Sequence, residues 1–512
     1  MGRRQGRSDD ASAPRRGPAR GDRSLALALL TALALRLFWV AIATRTPTGA
    51  FNDAAEYLRM ATGFAEGALP SVGSRASALY APGYPMLLAP FVFVARHTGA
   101  ATPAQVASLV NVVAGTCTVG ATAFLAGRWI SPAARNPAAW LMAVAPAHVY
   151  FTPTAHGETV FAALFLGLTW WLTVLVDRSR AGGAPVRTRW LVVFGLLVAF
   201  AVLVRGPGLL LLAVPPMIVR ARGGPVRSAV RVGGVVLAST AVGLVPWTVV
   251  NGLRVGAWTP VSTQNATALC VGHHDLADGG FPLTDMPRAI AEDCYRHSPW
   301  DDPAVGPAPA WWRYSGVDEA RWYRASSRRG ITWALTHPAD EVWLAGQKLT
   351  KAWSSEWDAL PAGRNYEQDE WTGRATGPLD GLANGWLYLV EALAVVGLAV
   401  SPAARRATPI WGSVLLVCLM LVGGLSQPHF RHVATPFVVI LGSAAVVAVG
   451  RPRPLADQGV DRGEQEVAGA EPRDHLEGAA VPAEADRPVP APRAATETGD
   501  QLGRHRRGAP AP

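Results

Sequence analysis

Apolar residues gather in long blocks along this chain, and short polar stretches rich in arginine separate them. Blocks lie at 24–44, 83–96, 104–127, 137–152, 158–176, 190–204, 208–219, 232–250, 384–400, 408–426 and 433–450. A helix needs about 20 apolar residues to cross the hydrocarbon of a bilayer. The longer blocks therefore predict membrane-spanning helices, and the shorter ones predict tilted, kinked or partly inserted helices. Block 24–44 follows a basic N-terminal stretch. It is too long for a signal-peptide core and lacks a small-residue cleavage site, so it reads as a first transmembrane helix. Arg205-Gly206-Pro207-Gly208 interrupts an otherwise continuous run and predicts a tight reversal between two helices. The pattern as a whole predicts an all-α polytopic membrane protein with about 10–12 transmembrane helices.

Basic residues then orient these helices. Arg128/Arg135, the group from Arg178 to Arg189, the group from Arg220 to Arg231, and Arg405/Arg406 all lie in short loops. Such loops face the cytoplasm. One arrangement satisfies every group: ten crossings, with 83–96 as a short element that does not cross. Both termini are then cytoplasmic, and 45–82, 251–383 and the "SQPHFRH" loop lie outside. Five regions follow: a disordered basic tail (1–23), a transmembrane module (24–250) with first external loop 45–82, an extracytoplasmic segment (251–383), C-terminal transmembrane helices (384–450), and a disordered tail (451–512). The last region is rich in Pro, Glu, Ala and Arg, with few large apolar residues. Within 251–383, "THPADEVWLAGQKLTKAWSSEW" has the spacing of a helix lying on the membrane surface.

Composition changes the picture little. Half of the 512 residues are hydrophobic and 16% are charged, below the ~25% of soluble domains. The net charge of +10 raises nucleic-acid binding, but the basic residues form no face or stripe, so that class is set aside. Cys270 and Cys294 share the hydrophilic segment and could pair in an oxidising compartment. "GHHDLAD" matches no zinc spacing, and no phosphate-binding loop is present.

Candidate chemistry gathers just outside the membrane. "DAAEYLRMATGFAEG" predicts a short helix with Asp53 at its start and Glu56 one turn on. Asp53 has two readings: a helix cap, or a general base at the lipid–water boundary. Glu158 and Arg205 sit at block edges, and His429 and Arg431 lie in the last external loop. Ionisable groups at such depths point to function. Arginine near the headgroups can grip a phosphate, and Arg431 stands outside the positive-inside count, which requires a local reason.

Four segments resemble the GT-C superfamily of membrane glycosyltransferases, in the bacterial branch related to protein O-mannosyltransferases and lipid A aminoarabinose transferases. They are "NDAAEYLRMATGFAEG…YAPGYPMLLAPF", "APAHVYFTPTAHGETVFAALF", "VPWTVVNGLRVGAWTPVSTQNATALCVGHH" and "QPHFRHVATPFVVIL". The resemblance covers about 24–450. It implies a GT-C-like bundle in the plasma membrane, transferring a sugar from a polyprenyl-phosphate donor to an extracytoplasmic glycan, lipid or protein. Asp53 matches the family's first-loop catalytic acid. Where the family often has a second acid next to the first, this chain has Ala54, and Glu56 becomes the supporting acid. Arg431, Arg75 and Arg205 are assigned to the donor phosphate, and Tyr57, Tyr84, Glu158 and His429 to the substrate pocket. Some relatives use a divalent metal and others do not, which leaves metal dependence open. A transporter or flippase for a lipid-linked sugar, and a non-catalytic envelope-assembly subunit, remain as alternatives.

Overall fold

The computed structural model describes residues 20–47, 52–72, 75–281, 286–301, 315–365 and 370–450. The expectation of disordered tails over 1–23 and 451–512 falls outside the described residues, apart from 20–23. The remainder is an all-α polytopic membrane protein whose only described strands are the two-residue pair β1 (Ser71–Val72) and β2 (Arg75–Ala76).

The N-terminal half runs α1 (Arg20–Ala43), α2 (Asp53–Ala65), α3 (Gly83–Thr98), α4 (Pro103–Trp129), α5 (Arg135–Ala143), α6 (Pro146–Tyr150), α7 (Glu158–Ala181), α8 (Thr188–Val204), α9 (Val214–Ala221) and α10 (Val226–Val255). The hydrophilic segment carries α11 (Asn265–Gly272), α12 (Arg288–Tyr295), α13 (Glu319–Thr336), α14 (Pro338–Trp353) and α15 (Ala359–Gly363). The chain closes with α16 (Glu370–Val400), α17 (Pro402–Arg406), α18 (Thr408–Val422) and α19 (Thr435–Val449). Among the described residues five helices are long and apolar enough to cross a membrane, at 21–43, 103–129, 158–181, 226–255 and 375–400. Four shorter apolar ones lie at 188–204, 206–221, 408–422 and 435–449.

Block 137–152, expected as one crossing, is broken. Helix α5 stops at Ala143, and Ala145 is extended (φ −60°, ψ 107°) because Pro146 follows it. The break lets 151–157 run irregularly before α7 restarts at Glu158. The interruption after α8 is a short 3-10 turn, Gly206–Leu212. Gly208 folds back on the α8 backbone there; a Cβ would lie 2.6 Å from the Val202 nitrogen. Gly83, at the start of α3, packs on the same helix end, with a Cβ position 2.4 Å from the Val204 nitrogen. Glycine at both points brings Tyr84 and Arg205 to one level.

In the hydrophilic segment Cys270 and Cys294 are disulfide-bonded, tying α11 to α12. The two histidines of "GHHDLAD" turn to separate carboxylates: His273 Nδ1 to Glu341 at 2.5 Å, and His274 Nε2 to Asp293 at 3.2 Å. Helix α14 forms as expected. It buries Leu344, Lys348 and Ala352 while exposing Val342 and Trp343. Lys348 donates to the Val422 carbonyl at the C-terminus of α18 (2.8 Å) and lies 3.3 Å from His273 Nε2. Burial pushes its pKa down to about 8, against the pull of Glu341. An unfolded chain holds that proton up to about pH 10.4. The unfolded state therefore binds more protons between these values, and stability should rise with pH through that window. Thermal midpoints of the detergent-solubilised protein at pH 7.5 and 9.5 should show this rise, and Lys348→Met should flatten it.

Candidate active site

Helix α2 begins at Asp53, but Asp53 is not its cap. Asn52 fills that role, its Oδ1 accepting from the Ala54 amide at 3.0 Å. The Asp53 carboxylate is thereby left for other partners. The Tyr80 hydroxyl donates to Oδ1 (2.9 Å), and Gln264 Nε2 donates to Oδ2 (3.2 Å). Asp53 is partly exposed. Burial raises its pKa, and the two hydrogen bonds and the charges of Arg205 and His429 only partly offset that rise.

Next to Asp53 a chain of charged groups runs through three elements. Glu158, buried at the start of α7, pairs with Arg205 at the end of α8. Glu158 Oε1 lies 3.8 Å from His429 Nε2, and Oε2 lies 3.9 Å from His156 Nδ1. On its other side His429 meets Asp358: Nδ1 is 2.5 Å from Asp358 Oδ2, and the His429 amide donates to the same oxygen at 3.2 Å. Burial alone would raise the Asp358 pKa, but the charge and hydrogen bond of His429 bring it below the usual carboxylate range. An ionised Asp358 accepts, so Nδ1 carries the hydrogen and Nε2 is turned toward Glu158.

An aromatic wall lines the cluster. Tyr57 packs edge-on against Tyr80 (5.5 Å), Tyr84 (6.1 Å) and His156 (5.9 Å). Phe151 stacks on His429 at 5.7 Å, and the Arg205 guanidinium sits 5.5 Å over Phe430. Tyr84 lies at hydrogen-bonding range of Asn111 Oδ1, 3.4 Å.

The structure thus brings together Asp53, Tyr57, Tyr84, Glu158, Arg205 and His429. It places three other candidates elsewhere. Glu56 pairs with Arg59 at 2.7 Å, one turn along the outer face of α2. Arg75 is exposed on β2, and the cationic groups acting on Asp53 are Arg205 and His429. Arg431 is fully buried: it pairs with Glu356 at 2.9 Å and donates to the carbonyls of Ala352 and Ser355. Its guanidinium is spent on these groups and does not face the cluster. Among the described residues no three His, Cys, Asp or Glu side chains converge as a metal site requires. Both Asp53 oxygens are already engaged.

Tyr80, Gln264, His156, Phe151 and Asp358 were not legible as site residues. For Gln264 no signal exists, since an uncharged amide in a loop looks like any other. For Asp358 and Glu356 there was one: two acids flank Trp357 in the hydrophilic segment, and Arg431 in a later loop calls for an acid.

No family model matches the chain, and no curated protein matches it. Among solved structures it is similar to the archaeal oligosaccharyltransferase AglB from Archaeoglobus fulgidus, in complex with an inhibitory peptide and a dolichol-phosphate. Identity is 12% and the TM-score 0.48, over 84% of this chain and 50% of that one. It is also similar to ArnT from Cupriavidus metallidurans bound to undecaprenyl phosphate, with 13% identity and a TM-score of 0.37, over 84% and 78% of the two chains. The chain spans about half the length of AglB.

Proposed function

We infer that this protein is a membrane glycosyltransferase that moves a sugar from a polyprenyl-phosphate donor to an acceptor hydroxyl on the extracytoplasmic side. One observation carries the reading. Asp53 is held by Tyr80 and Gln264 with its pKa raised, beside the cationic side of a buried Glu158–Arg205–His429–Asp358 chain. A carboxylate poised as a base next to groups that can take up anionic charge is what single-displacement transfer needs.

In that reaction Asp53 removes the acceptor's hydroxyl proton as the oxygen attacks the anomeric carbon. The new C–O bond forms as the bond from that carbon to the phosphate oxygen breaks. The electron pair leaves with the polyprenyl phosphate, and the added negative charge is met by Arg205 and His429. Asp358 keeps His429 oriented. Tyr57, Tyr84, Phe151 and His156 are buried behind the cluster and hold its side chains in place. Arg431 serves the fold and not the phosphate. Among the described residues no cluster of acids, histidines or cysteines builds a divalent-cation site, and no step here passes through one.

The Cys270–Cys294 bond supports an oxidising, extracytoplasmic setting for the hydrophilic segment. The arginine loops support a cytoplasmic setting for the opposite ends of the helices. The plasma membrane follows as the location.

The test uses the full chain in nanodiscs with a panel of synthetic undecaprenyl-phosphate hexoses and pentoses and delipidated envelope material as acceptor. Release of undecaprenyl phosphate together with labelled acceptor is the expected result. Intact movement of the sugar lipid across a vesicle, without release, would identify a transporter instead. Inertness toward the whole panel in both assays would leave only an assembly role.

A further inference from the structure

Asn365 lies far in sequence from every site residue except Asp358, yet it touches two of the segments that carry them and the end of α1. Its side chain is fully buried. Asn365 Oδ1 accepts from the Ala155 amide (3.0 Å), directly before His156. Asn365 Nδ2 donates to the Arg45 carbonyl (2.7 Å), just beyond α1. Its own carbonyl accepts from Asn52 Nδ2 (2.9 Å), and Asn52 is the cap that starts α2 at Asp53.

The backbone of Asn365 is left-handed, with φ 53°. Asn tolerates this better than most residues that have a Cβ. The conformation follows α15, whose Ala362 carbonyl accepts from Thr154 Oγ1 at 2.8 Å. Ser354–Asn365 therefore forms a strap at the end of the external segment. From it Glu356 reaches Arg431, Asp358 reaches His429, and Asn365 reaches both the Asp53 cap and the Glu158 segment.

A base and its electrophile must be held to within a fraction of an ångström, and small misplacements cost turnover heavily. Asp53 sits on a short helix whose start is fixed through Asn52. Glu158 begins a membrane helix three residues after Ala155. Asn365 is a single residue that holds both, its side chain on Ala155 and its backbone carbonyl on Asn52. We propose that Asn365 is a positioning residue that fixes the separation of Asp53 from Glu158, Arg205 and His429 through Asn52 and Ala155. This rests on the reading of Asp53 as the base.

Two substitutions separate this role from that of a turn former. Asn365→Gly keeps the left-handed backbone and loses both side-chain bonds. Asn365→Asp keeps an acceptor for Ala155 and loses the donor to Arg45. The assay is release of undecaprenyl phosphate from the same synthetic panel by the full chain in nanodiscs, with thermal midpoints measured in parallel. Asn365→Gly should lower kcat at least tenfold with KM for the lipid within twofold and a midpoint near wild type. Asn365→Asp should fall between. Wild-type kcat in Asn365→Gly would overturn the proposal, as would losses of kcat that track losses of midpoint in both variants. If Asp53→Asn also fails while Asn365→Gly is unaffected, the base survives and only the positioning role is lost. If Asp53→Asn is as active as wild type, the base is wrong and the positioning role falls with it.

Discussion

Asp53→Asn is expected to lower transfer by roughly 10²–10⁴-fold, the usual contribution of a positioned general base. Asn matches Asp in shape. Its amide oxygen can accept from Tyr80 as Asp53 Oδ1 does (2.9 Å), and the Gln264 amide can turn over to accept from the new NH₂. The packing around Tyr57, Tyr80 and Tyr84 is untouched. Stability supplies the discriminating readout. The folded state raises the Asp53 pKa, so it binds the proton more tightly than the unfolded chain. The stability this proton confers is lost as pH rises through the raised value. Asn is neutral throughout and escapes that loss. At pH 7 the variant should therefore melt at or above the wild-type temperature while its turnover collapses. A variant that melts lower, with activity falling in proportion, would make Asp53 a structural residue.

The same direction of shift sets the pH profile. A base acts only when ionised, so activity falls as pH falls through its pKa. With Asp53 raised, the acidic limb of kcat/KM should lie above the ordinary carboxylate range near pH 4. Lowering that limb should follow from any change that brings more positive charge to Asp53. Arg205→Gln, which removes one of the two cations acting on it, should move the limb upward.

How much of this was legible in the chain depends on which force fixed each residue. The membrane helices were, because burying a helix in hydrocarbon leaves a mark at every position along it. Asp53, Glu158, Arg205 and His429 stood out because a charge at an apolar edge is costly and shows itself. Their convergence was not legible. It depends on glycines at 83 and 208 that let backbones touch, and on the break before Pro146 that frees 151–157 from helix. The Asn52 cap was missed because Asp53, one residue later, is an equally good cap by type, and only geometry chooses between them. Glu56 was expected beside Asp53 because helical spacing puts it on that face, and the structure pairs it with the nearby Arg59. Asp358 and Asn365 lie about 300 residues from Asp53 in the chain, and nothing local marks them.

Arg431 illustrates the converse, a residue whose oddity was visible and whose partner was not. Its charge sits in the loop between α18 and α19, where the orientation rule expected none, and it is met by Glu356, 2.9 Å away and equally buried. Glu356→Leu should therefore be among the most destabilising substitutions in the protein. It leaves a guanidinium in the core whose remaining hydrogen-bond partners are neutral, the Ala352 and Ser355 carbonyls and Thr435 Oγ1, with Glu391 a further acid acting on it through space. Breaking a buried pair from one side costs about 3–5 kcal/mol. Removing both charges, with Arg431→Met beside Glu356→Leu, should restore most of that loss, because apolar groups of similar volume replace a desolvated pair at little net cost. Thermal midpoints of the two single variants and the double variant make the comparison. The double variant also tests the site. With Arg431 serving the fold alone, KM for the polyprenyl-phosphate donor should stay near wild type once stability is recovered, whereas a phosphate-binding arginine would raise it in every variant that lacks it.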